Sequence, residues 1–363
     1  MTKRAEVIWM ISRKHPPGVG GMEIMSWHLV RGIGARRAVV ADVWRHSQRA
    51  LPLFMLAAAV RLMLGLLRGR VRVVHLGDPA LAPLGWLAFA ARVPVVVTAH
   101  GLDLVYPNPA YQWLLARTLP RCAAMICISA HVRDIALARG LAPAALRVIP
   151  VGIAPGEVRA ADIAADAVKL GMMHGDAVIL LVGRLIPRKG FAWFLQEVFG
   201  PLARARDRLH CVVIGAGPER TELDRIVSDN GLAGRAHLLG SQPEARKWGW
   251  LARASLLAVP NVQVAGDVEG FGIVALEGAL AGKPVVAARI EGLLDAVREG
   301  VTGWLLPSGD AAAWVSRLSE LLDDPETLAA TGGTARNDVL TRCTWDRITD
   351  EYCDVLDRVS LAA

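Results

Sequence analysis

The sequence has no Asp-x-Asp triplet, no HExxH, no GxSxG and no phosphate-binding GxxxxGK[ST] loop. Metal-assisted hydrolysis, serine-nucleophile chemistry and P-loop nucleotide hydrolysis therefore all lack their parts. Five cysteines (Cys122, Cys127, Cys211, Cys343 and Cys353) never fall at CxxC spacing, which argues against structural zinc and a disulfide framework and for buried free thiols. Long apolar runs are also missing. "LPLFMLAAAV" (51–60) is interrupted by Arg61 before "LMLGLL", well short of the about 20 apolar residues of a membrane span. The start, "MTKRAEVIWMIS", passes straight into a strand-like run with no small-residue cleavage site, so a cytoplasmic chain is expected.

What is present suffices for two cores. With 363 residues, 53% of them hydrophobic and 21% charged, the chain is globular and long enough for two domains. Charge is unevenly spread: residues 1–160 hold 20 basic and 7 acidic side chains, a net +13, and the remainder is net −6. Such asymmetry points to an anionic partner for the first half, a membrane surface or a nucleic acid.

Continuous apolar runs mark strands buried on both faces of a parallel sheet. In the first half these are "EVIWMI", "AVVADV", "VRVVHL", "VPVVVT", "AMICIS" and "LRVIPV". After an Ala/Gly/Pro-rich stretch at 152–175 the rhythm restarts with "AVILLV", "LHCVVI", "RAHLL", "SLLAVP" and "PVVAA". Helical segments between the runs predict an α/β chain of two doubly wound, Rossmann-like domains facing a cleft, 1–155 and 156–344, with an amphipathic helix over 345–363.

Ligands of such sheets bind beyond the carboxyl ends of the strands, where the unusual residues collect. "AVILLVG" ends at Gly183 and runs into Arg184 and Lys189, two cations that suit a phosphate. "GAGPER" begins like a dinucleotide fingerprint at Gly215 and Gly217, but Arg220 holds the third glycine position, which disfavours a nicotinamide-dependent dehydrogenase. Gly18, Gly20 and Gly21 precede an apparent helix containing Glu23, where bare backbone amides could approach an anion or simply link strand to helix. His100 lies just past "VPVVVTA". In "EGFGIVALE" two carboxylates, Glu269 and Glu277, flank a Gly-Phe-Gly turn that opens a helix, whose first N–H groups can receive an anion.

Taken together, "GVGGME", "TAHG", "ICISAHVRD", "VIPVGI", "LLVGRLIPRKG", "VVIGAGPE", "EGFGIVALEGALAGKPVVA" and "GVTGWLLP" occur in an order that resembles the retaining glycosyltransferases of the GT-B fold, family 4. The resemblance implies a nucleotide-diphosphate sugar donor, no metal and no other cofactor. It implies that Glu277 accepts hydrogen bonds from the ribose hydroxyls and that Glu269 holds the donor sugar. Arg184 and Lys189 would meet the diphosphate, with Gly183 and Gly215 beside them and amides of Gly272, Ile273 and Val274. Gly20 and Gly21 would approach from the first domain. His100 would contact the donor sugar near the reacting centre. The implied acceptor is a glycan or lipid-linked sugar in cell-envelope polysaccharide or glycolipid synthesis, and nucleic acid drops out as a partner.

One departure bears on the donor. Where the family often has two glycines before a "PE" segment, this chain reads "IEGLLDAV", with Glu291 for the first glycine and Asp295 for glutamate. "GDVEGFGIV" is similar to users of GDP-mannose, although UDP-sugar users share most of it. The apolar segment 51–67, followed by Arg68, Arg70 and Arg72, suits a helix lying on anionic lipid, and equally an ordinary sheet-packing helix. A nucleotide-sugar epimerase, a phosphorylase on the same architecture and a non-catalytic membrane-surface scaffold are the alternatives.

Overall fold

The computed structural model describes residues 6–18, 20–46, 50–154 and 160–362. Two compact units emerge: Met1–Gly152 with Glu269–Phe271 and Cys343–Ala363, and Ile153–Val268 with Gly272–Arg342. The expected boundary at 155/156 lies outside the described residues.

The first unit is a six-stranded parallel sheet: β1 (Val7–Ser12), β2 (Val39–Val43), β3 (Val71–Leu76), β4 (Val95–Ala99), β5 (Ala124–Cys127) and β6 (Leu146–Val148). The spatial order is β2-β1-β3-β4-β5-β6, so the winding reverses between β1 and β3. Every residue of β4 is buried, as expected for a strand covered on both faces. The helix Leu51–Leu67 covers Trp9 at Gly65, where a Cβ would strike the indole.

The last helix, Trp345–Leu361, packs in this unit against the helix Gly21–Arg36. Tyr352 is fully buried there, its hydroxyl 3.2 Å from Thr98 Oγ1, which in turn lies 2.9 Å from His75 Nε2. Trp345 stacks flat on His28 at 4.3 Å and closes over Gly152, where any side chain would collide with the indole. Arg36 donates to Asp346 and Asp350, and Arg37 and Arg72 converge on Asp357.

The second unit repeats the plan with β7 (Ala177–Val182), β8 (Leu209–Ile214), β9 (Ala236–Gly240), β10 (Leu256–Val259), β11 (Val285–Ala288) and β12 (Gly303–Leu306). The order β12-β11-β10-β7-β8-β9 places the reversal between β7 and β10. β12, a four-residue edge strand, is not among the apolar runs that the sequence marks as strands. Gly303 in it approaches Val285 so closely that a Cβ would overlap the Val285 carbonyl.

At the amino ends of β8 and β9, His210 and His237 are buried and stacked, with Nδ1 of the first 3.2 Å from Nε2 of the second. Burial, reinforced by the neighbouring His210, lowers the His237 pKa to about 4, and burial lowers His210 as well. A base whose folded pKa is depressed contributes stability that is complete above its unfolded value near 6.5 and is lost as pH falls toward the folded value, at about 1.4 kcal/mol per pK unit. The melting temperature is expected to fall steeply between pH 6.5 and 4. His237→Gln should flatten that slope; an unchanged slope in this variant would show that the pair does not couple to folding.

Candidate functional site

In the first unit the site gathers where β1, β3 and β4 end. His100, the first residue past β4, points its Nε2–H at the Gly77 carbonyl, 2.9 Å away, in the loop after β3. The proton therefore sits on Nε2, which leaves Nδ1 as the acceptor in the neutral ring. The backbone turns sharply at Gly101, φ 102°, and Asp103 steadies this turn by accepting the His100 N–H at 2.9 and 3.0 Å. Burial pushes the Asp103 carboxyl up to about 6. Asp103 carries no motif in the sequence, although a carboxylate three residues after His100 has the spacing of a side chain that reaches back to a backbone N–H at a helix start.

Glu269–Phe271 belongs to this same unit. Gly270 lies against the His100 carbonyl and Ile128, so closely that a Cβ would overlap the carbonyl oxygen. Glu269 is buried beside it, at 9% exposure. The first half of the "EGFGIVALE" stretch is thus brought to His100 by a backbone contact that only glycine permits.

The glycines before the helix Gly21–Arg36 have a nearer neighbour than any ligand. Gly18 and Gly20 wrap the side chain of Glu23, and a Cβ on Gly20 would sit 2.5 Å from Glu23 Oε2. Glu23 is buried, and Lys14, just past β1, pairs with it at 3.2 Å. Gly21 is the first residue of the helix.

In the second unit Gly183 and Arg184 follow β7, at the reversal between β7 and β10. Arg184 is exposed and Lys189 is half-buried. The Lys189 stem runs beside Gly183, where a Cβ would meet its Cε at 3.4 Å. Arg188, which no motif in the sequence singles out, is a buried cation of this loop: it is 5% exposed and its Nε lies 3.1 Å from Asp267 Oδ1. The Arg188 carbonyl also accepts the Val262 N–H beyond β10, at 2.9 Å. Arg188 thereby ties together the loops on both sides of the reversal. Gly215 and Gly217 serve close packing, since a Cβ on either would run into the backbone of Gly183 or Leu185.

The helix Ile273–Leu280 starts at Gly272 in a left-handed conformation, φ 90°. Seven of its eight residues are buried, Glu277 among them at 7% exposure. Its partner is Lys247, on the helix Glu244–Arg253, with Nζ 2.8 Å from Glu277 Oε1 and 2.9 Å from Glu244 Oε1. Burial raises the Glu277 pKa, and Lys247 opposes that rise. No spacing links positions 247 and 277; the signal available in the sequence is a lone carboxylate in the apolar run "IVALEGALA", which must find a cation if it is to stay charged. Glu291, at the departure noted above, has φ 51°, a conformation that favours the glycine the family often carries there.

Family descriptions match both units: Glycosyltransferase Family 4 over residues 22–157 and Glycosyl transferases group 1 over 176–324. D-inositol 3-phosphate glycosyltransferase of Thermobispora bispora is 31% identical over 317 residues, 80% of this chain and 72% of that protein. Its namesake in Nocardia farcinica is 30% identical over 310 residues, 80% of this chain and 64% of that protein. Among solved structures, Anabaena HepE in complex with UDP superposes with a TM-score of 0.78 at 19% identity, covering 97% of this chain and 100% of that one. Sucrose-phosphate synthase from Thermosynechococcus elongatus gives 0.77 at 20% identity, with 99% and 100% covered.

Proposed function

The chain belongs to the family 4 glycosyltransferases, the glycosyl transferases of group 1, which are enzymes of the GT-B fold, and from that premise we propose that it moves a sugar from GDP-mannose or a UDP-sugar to a glycan or lipid-linked acceptor with retention of anomeric configuration. The observation that carries this reading is the pair Glu269 and Glu277: one is buried next in sequence to Gly270, which lies against the His100 carbonyl, and the other is buried and kept beside a cation where a ribose can use its remaining lone pairs.

Departure of a nucleoside diphosphate builds negative charge on phosphate and positive charge at the anomeric carbon. Lys189, Arg184 and the N–H groups of Ile273 and Val274 are the groups that stabilise the phosphate. With these in place no metal is required. The acceptor attacks from the face that the leaving group vacates, and the departing phosphate oxygen takes its proton. His100 and Glu269 hold the donor sugar.

Glu277→Gln should bind UDP or GDP about tenfold or more weakly, because a neutral amide is a poorer acceptor than a carboxylate. Glu269→Gln should lower turnover with little change in nucleotide affinity. Both experiments are run in excess EDTA, where wild-type transfer should persist. Wild-type kinetics for both variants would remove these acids from the site, and activity restored only by Mg²⁺ would overturn the metal-free mechanism. Sugar nucleotide incubated without acceptor should remain unchanged, whereas its conversion would favour an epimerase.

The acceptor reading rests on the helix Leu51–Leu67. No helix among the described residues is long and apolar enough to cross a membrane. This one nevertheless exposes Leu53, Leu56, Val60, Met63, Leu64 and Leu67. The neighbouring helices Ala82–Ala90 and Pro109–Thr118 expose Trp86 and Trp113, with Arg121 and Arg117 stacked on them. None of the three helices contains an acidic residue, a composition that suits anionic lipid. Of the arginines that the sequence offers for this role, Arg72 is engaged elsewhere, paired with Asp357, and Arg61 within the helix pairs with Asp42 at 2.8 Å. The discriminating variant therefore changes Arg68 and Arg70, which are exposed, together with Leu56 and Leu67. Wild type should sediment with anionic vesicles at low salt and detach at 1 M salt, where the screening length falls to about 3 Å, and the variant should stay in the supernatant. Equal recovery with neutral and anionic vesicles would favour a soluble acceptor, such as the inositol 3-phosphate that names the curated relatives.

A further inference from the structure

We infer that Lys247 is a positioning residue for donor binding: it holds the Glu277 carboxylate ionised and fixes its orientation, so that the acid can accept two ribose hydroxyls at once. The inference rests on the reading that Glu277 binds ribose. Three observations carry it. Glu277 sits in a helix with no other charged residue, at 7% exposure, where an isolated carboxylate is costly and favours the neutral acid. A neutral acid would turn one of the two acceptor oxygens into a donor and lose the pairing that a diol needs.

Among the described residues, the hydrogen bond to its carboxylate comes from Lys247 Nζ at 2.8 Å, to Oε1, which leaves Oε2 and one further lone pair for a ligand. Lys247 is itself held from behind. Glu244, one turn earlier on the same helix, takes the ammonium at 2.9 Å and also accepts Trp248 Nε1–H at 2.8 Å. Burial alone would discharge Lys247, yet Glu277 and Glu244 together keep its pKa raised. Among the described residues, Lys247 and Glu244 are the charged groups that bear on Glu277. Lys247, fixed in place by Glu244, thus sets one positive charge against a buried acid, from a helix that follows β9 and not from the helix that carries the acid, and outweighs the repulsion between Glu244 and Glu277 through its direct contact.

The test is the affinity for UDP and for GDP, each without sugar, measured by calorimetry from pH 5.5 to 8.5 for wild type, Lys247→Met, Lys247→Arg, Glu277→Gln and the double variant Lys247→Met/Glu277→Gln. Affinities are compared with wild type at each pH, because the terminal phosphate of the ligand itself takes up a proton at about pH 6. Lys247→Met should bind about tenfold more weakly at pH 7, the equivalent of one charge-assisted hydrogen bond, and should lose more affinity as pH falls and Glu277 takes up a proton. Lys247→Arg should recover most of the loss. In the double variant the Met substitution should add nothing to the effect of Gln, because Lys247 acts through Glu277.

Additive losses in the double variant would mean that Lys247 touches the nucleotide itself and would overturn the inference. So would a Lys247→Met protein with wild-type affinity at every pH while Glu277→Gln is impaired. Unimpaired binding by Glu277→Gln would instead remove the ribose reading, a separate result. Should Lys247→Met not fold, Lys247→Gln carries the same comparison, because it too removes the charge.

Discussion

Gly270→Ala is expected to reduce kcat/KM by at least about a hundredfold while leaving UDP or GDP affinity near the wild-type value. The Cβ would fall on the carbonyl oxygen of His100, a backbone atom that cannot rotate aside as a flexible side chain can. Either Glu269–Phe271 or the His100–Gly101 turn must shift by about an ångström. Misplacement of that size at a reacting centre costs about 10²-fold. The turn has little room to yield. Asp103 holds its N–H, Gly77 holds the His100 ring, and Gly101 already occupies the left-handed region. Overpacking of this kind also lowers stability by about 1–3 kcal/mol, so thermal denaturation must accompany the kinetics. Catalysis at the wild-type rate in a folded Gly270→Ala protein would show that the contact between Gly270 and His100 has no part in transfer.

The same contact shows where sequence stops being informative. All six strands of the first unit and five of the second are legible as largely apolar runs, most plainly β4 and β8, which are buried on both faces, while β2, β6 and β9 at the sheet edges are only partly buried. β12 escapes because "GWLL" is short and opens on a glycine, and that glycine is explained only by the backbone of Val285 beside it. The helix opened by "GFG" is legible from its glycines and apolar spacing, and it begins at Ile273. What a glycine is for is a different matter. Gly18 and Gly20 look like an anion cradle and surround Glu23; Gly215 and Gly217 look like a dinucleotide turn and serve to bring two loops together. Lys247 and Arg188 are invisible for the complementary reason. A buried charge must have a partner, but the partner is chosen by the fold and can lie 30 or 79 positions away, as with Lys247 and Glu277 or Arg188 and Asp267.

Arg188 and its neighbour separate structure from chemistry in a single loop. Lys189→Ala is expected to lower kcat/KM by roughly 10²–10³, about 3 kcal/mol if it stabilises the leaving phosphate as strongly as an oxyanion donor does, with little change in melting temperature. Lys189 is half-buried, and its stem lies against Gly183 at the carboxyl end of β7, beside the reversal between β7 and β10. Arg188→Ala should behave in the opposite sense. Removal of a guanidinium that is only 5% exposed takes away the cation facing Asp267, which is itself 30% exposed, a loss of about 1–3 kcal/mol, while the bond from the Val262 N–H to the backbone carbonyl at position 188 is kept. Arg184→Ala, at an exposed position, should fall between wild type and Lys189→Ala in activity and leave stability untouched. Kinetics and thermal denaturation of the three variants together decide the assignment. If Lys189→Ala loses stability in proportion to activity, the lysine is a brace and the phosphate contact passes to Arg184. A Lys189→Ala protein that is both stable and fully active would leave the developing phosphate charge to the helix beginning at Ile273, and nucleoside diphosphate affinity should then be insensitive to every cation in this loop.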